Sequence, residues 1–200
     1  MSTLLTPVAR VLLRAGVSPD AVTVLGALGV LVVALWAFPT DHLAVGAIII
    51  GVFAFLDALD GTMARLAGRS GSWGAFLDST LDRLADAAIF CGLTAYFIVQ
   101  HDGDLRTYGI VVSLACLVLG NLVSYARARA EGLGMTANVG VAERGERLVV
   151  SLVMAGLVGF GLPVEALVGA LALLAVASLV TVVQRMATVR RQALAAASAS

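Results

Sequence analysis

The sequence predicts an all-α membrane protein: six transmembrane helices with an N-terminal interfacial amphipathic helix ahead of them. Three observations predict it. Of 200 residues, 60% are apolar and only 13% charged, with a mean hydropathy of +0.99, whereas a soluble domain is about 45–50% apolar and about 25% charged. Apolar stretches approaching the ~20 residues that cross a bilayer recur at 20–38, 42–64, 75–99, 107–126, 148–162 and 164–184. The arginines also segregate. Six crossings leave Arg106 alone on one side and the other 12 of the 13 basic residues, all arginine, on the opposite side. By the positive-inside rule both termini are then cytoplasmic, which fits a multi-pass protein of the cell (plasma) membrane.

Each element has its own justification. Leu4, Leu5, Val8, Val11, Leu12 and Ala15 share a helical face of about 120°, opposite Thr3, Thr6, Arg10 and Arg14, so residues 2–16 read as a helix lying in the interface. Ser18-Pro19-Asp20 is a helix start, with a capping hydroxyl, a proline at the first position and an acid in the first turn. Pro39, the His101–Asp104 cluster and Pro163 punctuate later turns. The fifth stretch is short and is expected to begin earlier, inside the polar loop. Gly and Ala recur within the spans, as close packing in lipid requires. One domain covers 1–200: the interfacial helix, a bundle over 20–190 and a tail over 191–200, of which 195–200 is small, polar and expected to fray.

Other classes are poorly served. Net charge is zero, so no field argues for nucleic acid. Cys91 and Cys116 sit in apolar runs without metal-ligand spacing or a disulfide framework, and read as small buried hydrophobes. The start lacks a convincing signal-peptide cleavage site.

Against this apolar background, Asp57, Asp60, Asp78 and Asp82 gather within 26 residues. Asp57 and Asp60 share a face near the end of span two, and Asp78 and Asp82 share one near the start of span three. The intervening turn makes those spans antiparallel, so all four carboxylates can meet at one depth just inside the cytoplasmic boundary. On insertion scales each charge costs up to ~2.5–3.5 kcal/mol at the bilayer centre, which weighs against a mere ion pairing with Arg65, Arg69 and Arg83. All-oxygen ligation suits a hard cation, Mg²⁺, Mn²⁺ or Ca²⁺. Two such ions are a recurrent device for displacement at phosphorus. Gly61 leaves room for a ligand, Arg65 offers a phosphate a fork of donors, and Gly74 removes bulk where the third span starts.

Asp57-x-x-Asp60-Gly61-x-x-Ala64-Arg65, eight residues, then Gly74-x-x-x-Asp78-x-x-x-Asp82 resembles the signature of the CDP-alcohol phosphotransferases at every fixed position. The resemblance extends over the whole chain. It implies attack by an alcohol on the β-phosphorus of a CDP-linked lipid with release of CMP. It further implies that Asp57, Asp60, Asp78 and Asp82 hold two Mg²⁺ ions, with Mn²⁺ as a substitute. Asp82 would accept the proton of the attacking hydroxyl. Asp20, Ala21, Val22, Thr23, Gly61 and Arg65 would contact the CDP moiety, as would Gly71 through its backbone alone. A homodimer is implied as well.

Arginines at three cytoplasmic helix ends suggest the acceptor. If the bundle brings those ends around the aspartates, Arg127, Arg147 and Arg185 form a pocket for a second phosphate. Arg144, Arg190 and Arg191 read equally well as anchors at lipid headgroups. The segments around them, with Ser-Pro-Asp-Ala-Val-Thr at 18–23 and Gly-Ala-Phe-Leu-Asp-Ser-Thr-Leu-Asp-Arg at 74–83, resemble the actinobacterial phosphatidylinositol phosphate synthases. That implies transfer of the phosphatidyl group from CDP-diacylglycerol to myo-inositol phosphate. Phosphatidylglycerophosphate synthesis is the alternative within the family, since glycerol 3-phosphate also carries a phosphate. A divalent-cation transporter is the alternative outside it, though no internal repeat of the kind transporters use is present.

Overall fold

The computed structural model describes the backbone of residues 2–66 and 71–199, and the side chains there other than those of 2–5, 55–62, 64, 65 and 199. Among the described residues there are seven helices and no strand: α1 (Ser2–Arg14), α2 (Pro19–Ala37), α3 (Leu43–Leu66), α4 (Ser72–Gln100), α5 (Gly103–Glu131), α6 (Arg144–Gly159) and α7 (Val164–Ala199). α2, α5 and α7 are each long and apolar enough to cross a membrane. The outer surface is apolar, with Phe160 and Leu173 about three-quarters exposed (73% and 74%), while the interior holds charge: Asp86, Arg147 and Arg185 are buried. That inversion of a soluble protein's pattern is what lipid as solvent selects. The chain is a multi-pass membrane protein.

α2 packs on both α3 and α4, α5 on both α4 and α7, and α6 on both α3 and α7, so six helices close into a ring in the order α2, α4, α5, α7, α6, α3. Its core is a continuous cluster including Ala34, Phe38, Ile50, Ile89, Leu93, Phe97, Cys116 and Leu171. α2 and α4 cross closely. A Cβ at Gly92 would strike the Ala34 carbonyl oxygen, so only glycine lets these backbones meet.

The helix boundaries depart from the sequence expectation where polar residues extend the apolar runs. α4 starts at Ser72 rather than 75, α5 continues to Glu131, and α6 starts at Arg144, inside the polar loop as the short fifth stretch required. The end expected to fray from Ala195 is helical to Ala199. Its alanines carry the strongest helix propensity, and just ahead of it Gln192 is tied to the Thr136 backbone by two hydrogen bonds. α1 also uses its apolar face differently. Ala9 is fully buried with Met63 of α3, and Leu12, Leu13, Val17 and Val22 pack around them, whereas Val8 and Val11 face outward. Cys91, expected to be buried, is exposed on the outer surface, and Cys116 is buried, its Sγ donating to the Leu171 carbonyl at 3.2 Å.

Candidate active site

The site grows from the first turns of α2 and α4. Ser18 caps α2, its Oγ accepting from the Ala21 amide at 3.2 Å, and Pro19 and Asp20 follow as the sequence predicts. Asp20 Oδ2 accepts from Trp73 Nε1 at 3.2 Å, tying the head of α2 to the head of α4. Thr23 is buried, with its Oγ1 turned back onto the Pro19 carbonyl. Val22 packs in the small core under α1, and Ala21 is half-buried beside it. Gly71 is exposed with extended backbone. A Cβ at Gly71 or at Gly74 would meet nothing among the described residues. Neither glycine is therefore required by packing among the described residues.

Down α4, Asp78, Asp82 and Asp86 follow at one-turn intervals. Asp78 is half-buried and Asp82 is 14% exposed at its side chain. Asp82 Oδ1 lies 2.7 Å from Arg144 Nη2, and Arg83 Nη2 is 3.8 Å from Asp82 Oδ2. Asp82 and Arg144 also line a partly open cavity of about 20 Å³, room for about one water. Thr23 and Gly26 of α2 and Ile50, Phe53 and Ala54 of α3 line it as well. Along α3, Asp57 lies four residues beyond Phe53 and three beyond Ala54, and Asp60 seven beyond Phe53. The side chains of Asp57, Asp60, Gly61 and Arg65 themselves lie outside the described residues. Within the described residues Asp78 and Asp82 have no third carboxylate, imidazole or thiol completing a metal-sized group.

The three arginines expected to surround a second phosphate each have partners of their own. Arg127 is about half exposed and its Nε meets Glu131 Oε1 at 2.9 Å, one turn along α5. Arg147 is buried, with Nη2 2.8 Å from Asp86 Oδ2 and Nη1 donating to the Ala142 carbonyl. Arg185 is buried too. It donates to the Val139 carbonyl through Nε and to the Val123 carbonyl through Nη1, and meets Glu143 through Nη2 at 3.2 Å. Arg144, which the sequence read equally well as a headgroup anchor, lies 2.7 Å from Asp82, nearer than Arg83.

Two features escaped the sequence reading. Asp86 continues the one-turn series of aspartates, and that spacing was the available signal. The second is a strap. The connection between α5 and α6 is stitched to one face of α7. Thr181 Oγ1 accepts from the Val141 and Ala142 amides at 3.1 and 3.0 Å. Gln192 accepts from the Thr136 amide and donates to its carbonyl at 3.0 and 2.6 Å. No local pattern announces those contacts, which join residues some 40 to 56 positions apart.

Residues 16–189 match the family model described as CDP-alcohol phosphatidyltransferase. The chain is 48% identical over 202 aligned positions to a phosphatidylinositol phosphate synthase of Streptomyces avermitilis, covering 98% of this chain and 82% of that protein. It is 46% identical over 194 positions to a protein of the same name from Cutibacterium acnes, covering 94% and 92%. Among solved structures, the Mycobacterium tuberculosis phosphatidylinositol phosphate synthase with CDP-DAG bound has a TM-score of 0.87 at 43% identity, covering 94% of each chain. The Mycobacterium tuberculosis synthase in complex with manganese and citrate has a TM-score of 0.87 at 44% identity, covering 92% of this chain and 88% of that one.

Proposed function

The chain belongs to the CDP-alcohol phosphatidyltransferase family, and on that footing we propose that it transfers the phosphatidyl group of CDP-diacylglycerol to myo-inositol phosphate, releasing CMP. The observation that carries the acceptor is the identity of 46–48% with inositol phosphate synthases over 94% or more of the chain. A substrate-bound relative of the same shape, with CDP-DAG in it, supports the donor.

The donor set fits a pair of hard cations. Asp78 and Asp82 stand one turn apart on α4, Asp57 and Asp60 are three residues apart on α3, which lines the same cavity through Ile50, Phe53 and Ala54, and oxygen is their only ligand chemistry. These four would hold two Mg²⁺ ions, with Mn²⁺ as a substitute; a relative was solved with manganese. When bound, such ions neutralise the pyrophosphate and stabilise charge on departing CMP. The protein's own groups do the rest. Asp20, Ala21, Val22 and Thr23 at the head of α2, with Gly61, Arg65 and the Gly71 backbone, hold the CDP moiety. Asp82, nearly enclosed and facing the cavity, takes the proton of the attacking hydroxyl. Of the acceptor arginines, Arg127 has the exposure to meet a phosphate directly. Arg147 and Arg185, paired here with Asp86 and Glu143, are the other two charges of the proposed phosphate pocket.

The same reading makes the ring of α2–α7 six membrane spans, with α1 in the cytoplasmic interface, the site facing the cytoplasm of the plasma membrane and two chains associating as a homodimer. The distribution of arginine supports the orientation. The test is CMP release from CDP-diacylglycerol with inositol phosphate, free inositol and glycerol 3-phosphate supplied in parallel. Inositol phosphate is expected to support turnover and the other two are not. Faster release with glycerol 3-phosphate would reassign the acceptor.

A further inference from the structure

Asp86 has no part in the roles above, yet it is built into the site. It is 7% exposed, one turn beyond Asp82 on α4, and its two oxygens face two arginines of α6. Oδ2 is 2.8 Å from Arg147 Nη2, and Oδ1 is 3.4 Å from Arg144 Nε. Arg144 continues the chain to Asp82, with Nη2 at 2.7 Å from Oδ1. Arg147 is the fixed end. Its Nη1 donates to the Ala142 carbonyl, and its guanidinium lies over Gly120, where a Cβ would stand 2.9 Å from Nε. Arg144, with a side chain 30% exposed, is the end that reaches the cavity.

We propose that Asp86 is a positioning residue for the transfer: anchored on buried Arg147, it holds the guanidinium of Arg144 at the wall of the Asp82 cavity. The arrangement fixes a positive charge beside the atom that the acceptor hydroxyl must approach. This inference rests on the role of Asp82 in the proposed function.

A double-mutant cycle on the full-length protein tests it, using CMP release with CDP-diacylglycerol and inositol phosphate. The parent is assayed first. No release with any alcohol would overturn the proposed function and this inference with it, a result distinct from a failed cycle in an active parent. In an active parent, Asp86→Asn is expected to lower kcat roughly tenfold, with the KM for CDP-diacylglycerol held within about threefold. In an Arg144→Gln background the same change should cost less than about threefold, because residues acting through one another are not additive. Additive losses would mean that Asp86 serves the fold alone, and would overturn the proposal. Asp86→Asn leaves the Arg147 charge without its partner, so Asp86→Glu is measured beside it. Glu keeps the charge while moving the carboxylate by one methylene. Its kcat should fall while its melting temperature stays near the parent's, and a parental kcat in Asp86→Glu would equally overturn the proposal.

Discussion

Asp82 shows how much depends on single side chains in a medium that solvates charge poorly. Its carboxylate is 14% exposed and is met by Arg144 at 2.7 Å. Asp82→Asn keeps its shape but removes both the charge and the basic oxygen, so CMP release should be abolished while most CDP-lipid binding remains. A near-parental rate in a stopped CMP assay would remove Asp82 as the proton acceptor. Gly120 is the opposite case, a residue whose value lies in having no side chain. A Cβ there would stand 2.9 Å from Arg147 Nε, and Arg147 is held in place by Asp86 and the Ala142 carbonyl. Gly120→Ala therefore forces overpacking at a buried ion pair and should cost about 1–3 kcal/mol, read as a lowered melting temperature in detergent. Gly169, where a Cβ would meet nothing, is the control position and should tolerate alanine.

At the scale of elements, α7 from Thr181 onward holds the strap between α5 and α6 and, through it, the start of α6 with Arg144 and Arg147. Thr181, Arg185 and Gln192 each bond strap backbone. Thr181→Val is nearly isosteric but leaves the Val141 and Ala142 amides without their acceptor, at about 1–3 kcal/mol per unsatisfied buried group. Faster hydrogen exchange over 136–143 is the expected result, with α2 and α4 unchanged. A shortened chain ending after Gln192 should behave like the parent, whereas one ending after Arg191 loses both bonds to Thr136 and should show the same faster exchange. Identical exchange in those two shortened chains would mean that Gln192 does not hold the strap.

For the molecule as a whole, ring closure decides what the aspartates can do. α2 stands against both α3 and α4, so the cavity beside Asp82 is shared by three helices of the first half and lined also by α6 from the second. A cation held between α3 and α4 would therefore stabilise the bundle as well as support chemistry. Mg²⁺ or Mn²⁺ should raise the melting temperature of the parent, since binding to the native state alone contributes about 2.7 kcal/mol at a hundred times Kd. Asp78→Asn should lose that rise, and EDTA should stop CMP release until the cation is restored. Parental turnover in EDTA, with bound metal excluded by elemental analysis, would refute the metal assignment.

The helical membrane class, the capped start of α2 at Ser18 and the one-turn spacing of Asp78 and Asp82 are legible in the sequence, because each rests on contacts within about one helical turn or on the solvent to which a whole segment is matched. The sense of the boundaries is legible for the same reason, although α4, α5 and α7 run further than their apolar cores, since backbone hydrogen bonding continues where hydropathy stops. Partner choice is not legible. Arg127, Arg144, Arg147 and Arg185 look alike as positive charges near helix ends. Only the packed ring put Arg144 on Asp82, buried Arg147 against Asp86 under Gly120, and spent Arg185 on the carbonyls of Val123 and Val139. Those pairings join groups some 46 to 62 residues apart. A long guanidinium takes whichever carboxylate or carbonyl the helix crossings bring within reach, so its role is decided by tertiary distance and burial, which local sequence does not encode.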